Sequence, residues 1–202
     1  MRVKAPDPLR AHGALVFLTL SSLAGLLTAL GRGRWAGLGA VAAFAGVFLL
    51  ASALAVGQST RRRRRAGWGL ALALVGPVAA SWLGADSGWI VFALAAVFPA
   101  GLAGYFGQSL GFQSQPALAM AVTALVLAAP SGACAGGATL AEGALLFALL
   151  TPVFVWRAVG IRRNLSRPGR VTKAEIRKRG WQEAIWALGW TLVAVGVLHL
   201  VR

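Results

Sequence analysis

The side chains that could do chemistry are few. The chain holds five acids, Asp7, Asp86, Glu142, Glu175 and Glu183, and two histidines, His12 and His199. Glu142 lies about one turn inside a long apolar run, where a carboxylate costs a few kcal/mol unless it is paired, hydrated or protonated. Two readings stay open for it. It is a proton-coupled carboxyl with its pKa raised by desolvation, or an acid that reaches back to the outer surface. Glu183 opens the last apolar run, and Arg179, four residues earlier, offers it a helical i,i+4 ion pair. Arg157 closes the sixth run beside Trp156, where a long side chain can carry its charge out to the headgroups. His12 enters the first run, and imidazole is the side chain that titrates near neutral pH. His12, Glu142, Arg157 and Glu183 form the candidate polar set. Asp7 and Asp86 sit in tail and loop positions open to solvent.

Other chemistries lack their residues. Cys134 is the one cysteine, so no disulfide closes within the chain. It is expected in a Gly/Ala-rich turn as a small apolar residue. The two histidines fall at opposite membrane faces, so no metal or haem site, and no cofactor, is expected. No two carboxylates share a helical spacing, which argues against Mg²⁺-dependent prenyl or phosphoryl transfer. No G-x-S-x-G nucleophile elbow is expected, and no H-E-x-x-H zinc motif occurs.

The elements that must position these residues follow from composition. Of 202 residues, 58% are hydrophobic and 12% charged. A soluble fold of this length could not cover its surface with so few polar residues, which excludes an ordinary cytosolic domain and a disordered chain. Seven apolar segments fall near 14–30, 35–56, 67–84, 89–106, 116–133, 138–158 and 181–201. The fifth is short as first seen, 116–129, and must extend into a flank. Helices are expected because an open sheet edge has no hydrogen-bond partner in lipid. The expected fold is all-α, a polytopic transmembrane helix bundle forming a single domain over 1–202. Met1–Leu30 has the basic start and apolar run of a signal peptide. Its run is long and its end lacks a clean A-x-A, so it reads as an uncleaved first span.

Charge sets the orientation. With 20 Lys and Arg against 5 acids, the net charge is +15. Assigning the connections alternately to two sides leaves Arg32, Arg34 and Arg202 on one side and every other basic residue on the side of the amino terminus. The positive-inside rule then places the amino terminus in the cytoplasm and the carboxyl terminus outside. Arg61–Arg65 reads as a membrane-surface cluster rather than a nucleic-acid patch, given its apolar flanks. Arg61, Arg62, Arg63, Arg64 and Arg65, with Arg177, Lys178 and Arg179, are expected to meet anionic lipid headgroups. Trp68, Trp156 and Trp181 fall near cytoplasmic ends of the segments, and Trp35, Trp82 and Trp89 near outer ends, as amphipathic rings prefer. Trp186 and Trp190, deeper and on one face, are expected to pack or face lipid.

Small residues recur at four-residue spacing, as in Ser21/Gly25, Ala42/Gly46, Gly69/Ala73 and Ala96/Ala100/Gly104, and let helix backbones approach closely. Pro77, Pro99 and Pro152 are expected to kink the third, fourth and sixth helices. Gly107–Gln115 reads as an uncharged cytoplasmic loop and Val159–Gly180 as a basic one. Within the latter, Ser166-Arg167-Pro168-Gly169 reads as a turn. Thr172 and Glu175 match a capping box, so a helix from about Lys173 is expected to run on into the last segment.

Short stretches resemble a known family. Pro8-Leu9-Arg10-Ala11-His12-Gly13-Ala14 is similar to the Pro-x-x-His-Gly-Ala opening of the YwiC-like membrane proteins. The arginine cluster, Val155-Trp156-Arg157 with Ile161-Arg162-Arg163, and Arg179-Gly180-Trp181-Gln182-Glu183 are similar as well. The match departs in one extra residue between Pro8 and His12, in Ala11 and in Leu15. The resemblance implies a bacterial integral membrane protein and carries no catalytic roles. The expectation is a multi-pass protein of the bacterial cytoplasmic membrane, a non-catalytic subunit or assembly factor of a membrane complex. Its expected neighbours are anionic lipid and a membrane-protein partner, not nucleic acid. A small-molecule or lipid transporter is the alternative, and a lipid-modifying membrane enzyme ranks third.

Overall fold

A computed structural model describes residues 12–55, 60–112, 114–165 and 173–201. The side chains of 12, 13, 54, 55, 60–62, 161–165 and 173–179 lie outside this description. All regular structure among the described residues is helical. The helices are α1 (His12–Leu30), α2 (Gly37–Ala55), α3 (Thr60–Trp82), α4 (Gly88–Ala95), α5 (Val97–Leu110), α6 (Gln115–Val126), α7 (Ala128–Ala135), α8 (Leu140–Leu165) and α9 (Lys173–Leu200). Among the described residues, each of the seven apolar segments lies mainly on helix.

Two segments are split, and proline is the reason. Helix α4 gives way to α5 at Ala96, three residues before Pro99. Helix α6 gives way to α7 at Leu127, three residues before Pro130. A proline ring has no N–H for the carbonyl four residues back and pushes that carbonyl aside, so the ladder breaks one turn upstream. Pro77 and Pro152, in contrast, sit inside helices assigned without a break. Taken together across their joints, α4–α5 (Gly88–Leu110) and α6–α7 (Gln115–Ala135) are long and apolar enough to cross a membrane. So are Leu140–Gly160 of α8 and Gly180–Leu200 of α9. Helices α1 and α2 contribute shorter apolar stretches, Ala14–Leu30 and Gly37–Ala53. With these four helices the chain is a membrane protein.

The pass formed by α6–α7 is central. About 72% of its apolar window is buried, against 11% for α4–α5. Every residue of α7, Ala128–Ala135, is buried. Such small side chains let neighbouring backbones come close, which replaces the missing hydrophobic force between helices in lipid. A Cβ on Gly25 of α1 would stand 2.5 Å from the Ala129 carbonyl oxygen and 3.1 Å from the Gly132 Cα. Gly136 presses in the same way on Ala29. Gly25 with Gly132 and Ala29 with Gly136 advance together, so α1 and α7 run parallel. Larger residues complete the core: Phe17 and Phe154, with ring centroids 5.3 Å apart, then Leu146 and Leu150 of α8 and Val195 of α9.

Helices α2 and α3 form an antiparallel hairpin whose contacts step in opposite directions: Gly39 on Ala80, Ala43 on Gly76, Gly46 on Ala73, Leu50 on Gly69. A Cβ on Gly69 would lie 2.8 Å from the Leu50 nitrogen, so these glycines are required by approach rather than by backbone conformation. The expected Gly46 and Gly69/Ala73 stripes are this interface. The substantial packing of α3 is against α2, and its outer face, with Leu74, Val75 and Val78, is exposed.

Several boundaries differ from expectation. Arg61–Arg65 is not a loop, because its backbone forms the first turns of α3. Helix α5 runs to Leu110, so the break after it is confined to Gly111–Ser114, with Gly111 in the left-handed region at φ 89°. The connection between the last two segments is shorter than 159–180, since α8 reaches Leu165 and α9 starts at Lys173, as its capping residues imply. The Ser166–Gly169 turn, Thr172 and the Glu175 side chain lie outside the described residues. Cys134 is in helix α7 and fully buried, not in a turn.

Candidate functional site

Polar groups gather at the two ends of α8. Glu142 and Arg157 are fifteen residues apart on that helix, about 22 Å at 1.5 Å per residue.

At one end, the α1–α2, α3–α4 and α7–α8 turns meet. Thr139 and Glu142 form a reciprocal capping box. The Thr139 N–H donates to Glu142 Oε2 at 2.7 Å, and the Glu142 N–H donates to Thr139 Oγ1 at 3.2 Å. Two of the orphan donors at the start of α8 are satisfied this way. Arg32, in the α1–α2 turn, donates Nη2 to Glu142 Oε1 and Nη1 to the Gly137 carbonyl at 2.7 Å. The Arg32 and Glu142 side chains are only 11% and 21% exposed, so the ion pair is largely withdrawn from water. Beside it, Arg34 Nη1 donates to Asp86 Oδ2 at 2.8 Å, an exposed pair from the α3–α4 turn. Gly137, at φ 87°, passes between: a Cβ there would meet Arg34 Nη1 at 3.1 Å and Asp86 Oδ2 at 3.2 Å. The His199 ring, near the end of α9, lies against Gly31 and holds Nδ1 2.9 Å from the Val195 carbonyl. Three turns and one helix end are thereby tied into a closed cap.

At the other end, Arg157 Nη1 of α8 donates to Glu183 Oε2 of α9 at 2.6 Å. Its guanidinium also lies 5.4 Å from the Trp156 ring centroid and 5.7 Å from that of Trp186. One helical turn deeper on α9, Trp190 donates its Nε1–H to the Leu149 carbonyl at 2.8 Å. These contacts staple α8 to α9.

Between the ends, interior hydroxyls bond inside the bundle. Thr28 donates to Ala24, Thr191 to Ala187 and Thr123 to Ala119, each to the carbonyl four residues back. Ser131 donates to the Trp89 carbonyl at 3.3 Å. Ser21 and Thr151 keep buried hydroxyl oxygens without a partner. A groove of about 450 Å³ lies between the first turns of α6 and the second half of α8, from Ala119 and Thr123 to Thr151, Trp156 and Gly160. Glu142 does not line it. No group of three or more His, Cys, Asp or Glu that could hold a metal occurs among the described residues.

The candidate set is therefore divided. Arg157 and Glu183 are brought together. Glu142 stands at the opposite end, with Arg32. His12 begins α1, and its side chain lies outside the described residues. Arg157 turns inward to Glu183 rather than straight out to the headgroups, because the neighbouring helix offers a carboxylate and the Trp186 ring. Glu183 finds its partner across the α8–α9 interface; the Arg179 side chain lies outside the described residues. Of the headgroup set, Arg63 and Arg64 are exposed in the first turns of α3, and Arg65 is half-buried. Cations there oppose the helix dipole, so their position favours a nearby anion. The side chains of Arg61, Arg62, Arg177, Lys178 and Arg179 lie outside the described residues.

Sequence reasoning missed Arg32, Arg34 and Asp86 as partners. One local signal was available, because Thr139-Leu140-Ala141-Glu142 has the capping-box spacing. The expected absence of a G-x-S-x-G spacing was wrong, because Gly107-Gln108-Ser109-Leu110-Gly111 has the spacing of hydrolase nucleophiles. That motif works on a strand-to-helix turn. Here Ser109 is in helix α5 and donates to the Tyr105 carbonyl at 3.0 Å, so the spacing carries no nucleophile.

Comparison with protein-family models, with curated proteins and with solved structures finds no match to this chain.

Proposed function

We propose that the protein is a seven-pass, non-catalytic subunit or assembly factor of a complex in a bacterial cytoplasmic membrane, with its amino terminus inside. The seven passes are α1, α2, α3, α4–α5, α6–α7, α8 and α9. The parallel run of α1 and α7 supports them, since both are odd-numbered passes. The basic bias of the alternate connections supports the orientation. The short stretches similar to the YwiC-like membrane proteins support the bacterial setting.

The observation that carries the non-catalytic reading is the state of Glu142. A proton-coupled acid needs a water path and freedom to exchange its partner. Glu142 instead closes a capping box and an ion pair with Arg32, and the groove does not reach it. Transport, the alternative, loses its leading acid, and the membrane-enzyme reading has no group of three His, Cys, Asp or Glu among the described residues to hold a metal.

The test is native mass measurement on the protein released from its own membrane in mild detergent. A discrete heteromeric assembly with fixed stoichiometry is expected. A lone chain or a purely homomeric particle overturns the reading, as does solute flux in vesicles holding only this protein that Glu142→Gln abolishes.

A further inference from the structure

We propose that the Arg157–Glu183 pair holds the headgroup of a zwitterionic phospholipid with a primary ammonium: the phosphate meets Arg157 and the ammonium meets Glu183. This rests on the membrane setting of α8 and α9 and not on membership of a complex.

The pair stands where a headgroup can reach it. The membrane-length stretch of α8 ends at Gly160 and that of α9 begins at Gly180, so each residue is three positions inside an end. Trp156 and Trp186 beside it are 71% and 67% exposed, and amphipathic indoles collect at the headgroup level. The pair itself is open: its side chains are 25% and 31% exposed, against 11% and 21% for Arg32 and Glu142.

The pair also has hydrogen-bonding capacity left. A guanidinium has five N–H donors and a carboxylate two oxygens. Arg157 uses Nη1 on Glu183 Oε2, and neither side chain makes another hydrogen bond among the described residues. The Trp156 and Trp186 rings offer the guanidinium aromatic faces rather than acceptors, so they fix its place and leave its other donors available.

The order of charges selects the occupant. A cation and an anion stand side by side. A purely anionic headgroup would satisfy Arg157 and be repelled by Glu183. A phosphate with an ammonium on a short tether presents the opposite order and satisfies both. Glu183 Oε1 wants an N–H donor, which a quaternary ammonium does not have. The aromatic faces that could hold a quaternary cation are already engaged by the guanidinium.

The test titrates the full-length protein in detergent with dioleoyl phosphatidylethanolamine and its mono-, di- and trimethylated forms, the last being phosphatidylcholine. Binding is read by native mass spectrometry. Headgroup charge is the same throughout, so the net charge of +15 acts alike on every member. Affinity is expected to fall about fivefold or more at the trimethylated form, which has no N–H left. Glu183→Gln is expected to bring phosphatidylethanolamine down to the phosphatidylcholine value and to leave phosphatidylcholine unchanged. Arg157→Lys keeps the charge but loses the planar fork, and should weaken all four forms about threefold. Trp190→Phe removes the hydrogen bond from α9 to the Leu149 carbonyl without touching the pair, and this control should bind as the wild type does. Equal binding of the four forms by the wild type overturns the proposal. So does unchanged selectivity in Glu183→Gln, unchanged affinity in Arg157→Lys, or a loss in Trp190→Phe as large as that in Glu183→Gln. Binding of the chain-free headgroup, glycerophosphoethanolamine, as tightly as the lipid would make the ligand a soluble one and overturn it too.

Discussion

Arg157 of α8 and Glu183 of α9 meet at 2.6 Å, and the same guanidinium stacks near Trp156 and Trp186. One side chain thus joins an ion pair and two aromatic faces, all between the last two helices. Arg157→Met is expected to cost about 1–2 kcal/mol, combining a partly exposed pair with cation–π contacts. Arg157→Lys keeps the charge but loses the planar fork and should fall between. Thermal midpoints in detergent check both, and a double-mutant cycle with Glu183→Gln should give a coupling well above zero. Additive effects would mean the pair contributes nothing.

The cap at the other end predicts a larger loss. Glu142→Gln removes a charge that satisfies Arg32 at a site mostly closed to water, so about 2–3 kcal/mol is expected. Thr139→Ala, which removes only the capping hydroxyl, should cost about 1 kcal/mol. Denaturant or thermal unfolding in detergent measures the order of the two, and the reverse order would contradict the geometry.

Glycines divide into two groups. At Gly46, a Cβ would run into the Ala73 backbone nitrogen and come within 2.8 Å of the Gly69 carbonyl. Gly46→Val is therefore expected to separate α2 from α3 and cost about 3 kcal/mol or more. Gly196, with nothing within 4 Å, should tolerate alanine and gain up to about 1 kcal/mol from helix propensity. Expression level and thermal midpoint of the two variants give opposite signs if the contacts are as described.

The proposed orientation predicts accessibility. With Cys134 changed to Ala, a cysteine at Arg34 is expected to react with an impermeant maleimide on intact cells. A cysteine at Arg64 should react only after the membrane is opened. The same response at both positions would overturn the threading.

What the sequence made legible was what depends on neighbours along the chain. Apolar runs placed helices at all seven segments, and Thr172 with Glu175 anticipated where α9 begins. Pro99 was expected to disturb its helix along with Pro77 and Pro152, whose helices run on unbroken, while Pro130, inside the extended fifth segment, was passed over. The polar site was legible only as a set of residue types. Arg32 and Glu142 are 110 positions apart, and Arg34 and Asp86 are 52 apart. No period or spacing connects turns that meet only when the bundle closes. Glu183 shows the same limit: its local neighbour suggested an ion pair within one helix, while packing supplied the Arg157 guanidinium from the helix beside it.

The parallel run of α1 and α7 has a consequence for biogenesis. On the proposed seven-pass threading, helix α3 follows α2 directly, so that hairpin can settle as soon as its second half enters the bilayer. Helix α1 has to wait for a partner about a hundred residues downstream (Gly25 for Gly132), with its small-residue face bathed in lipid meanwhile. On that threading the bundle closes only once α7 is in place, and a product halted after α5 would hold a finished hairpin beside a first helix still lacking its main partner.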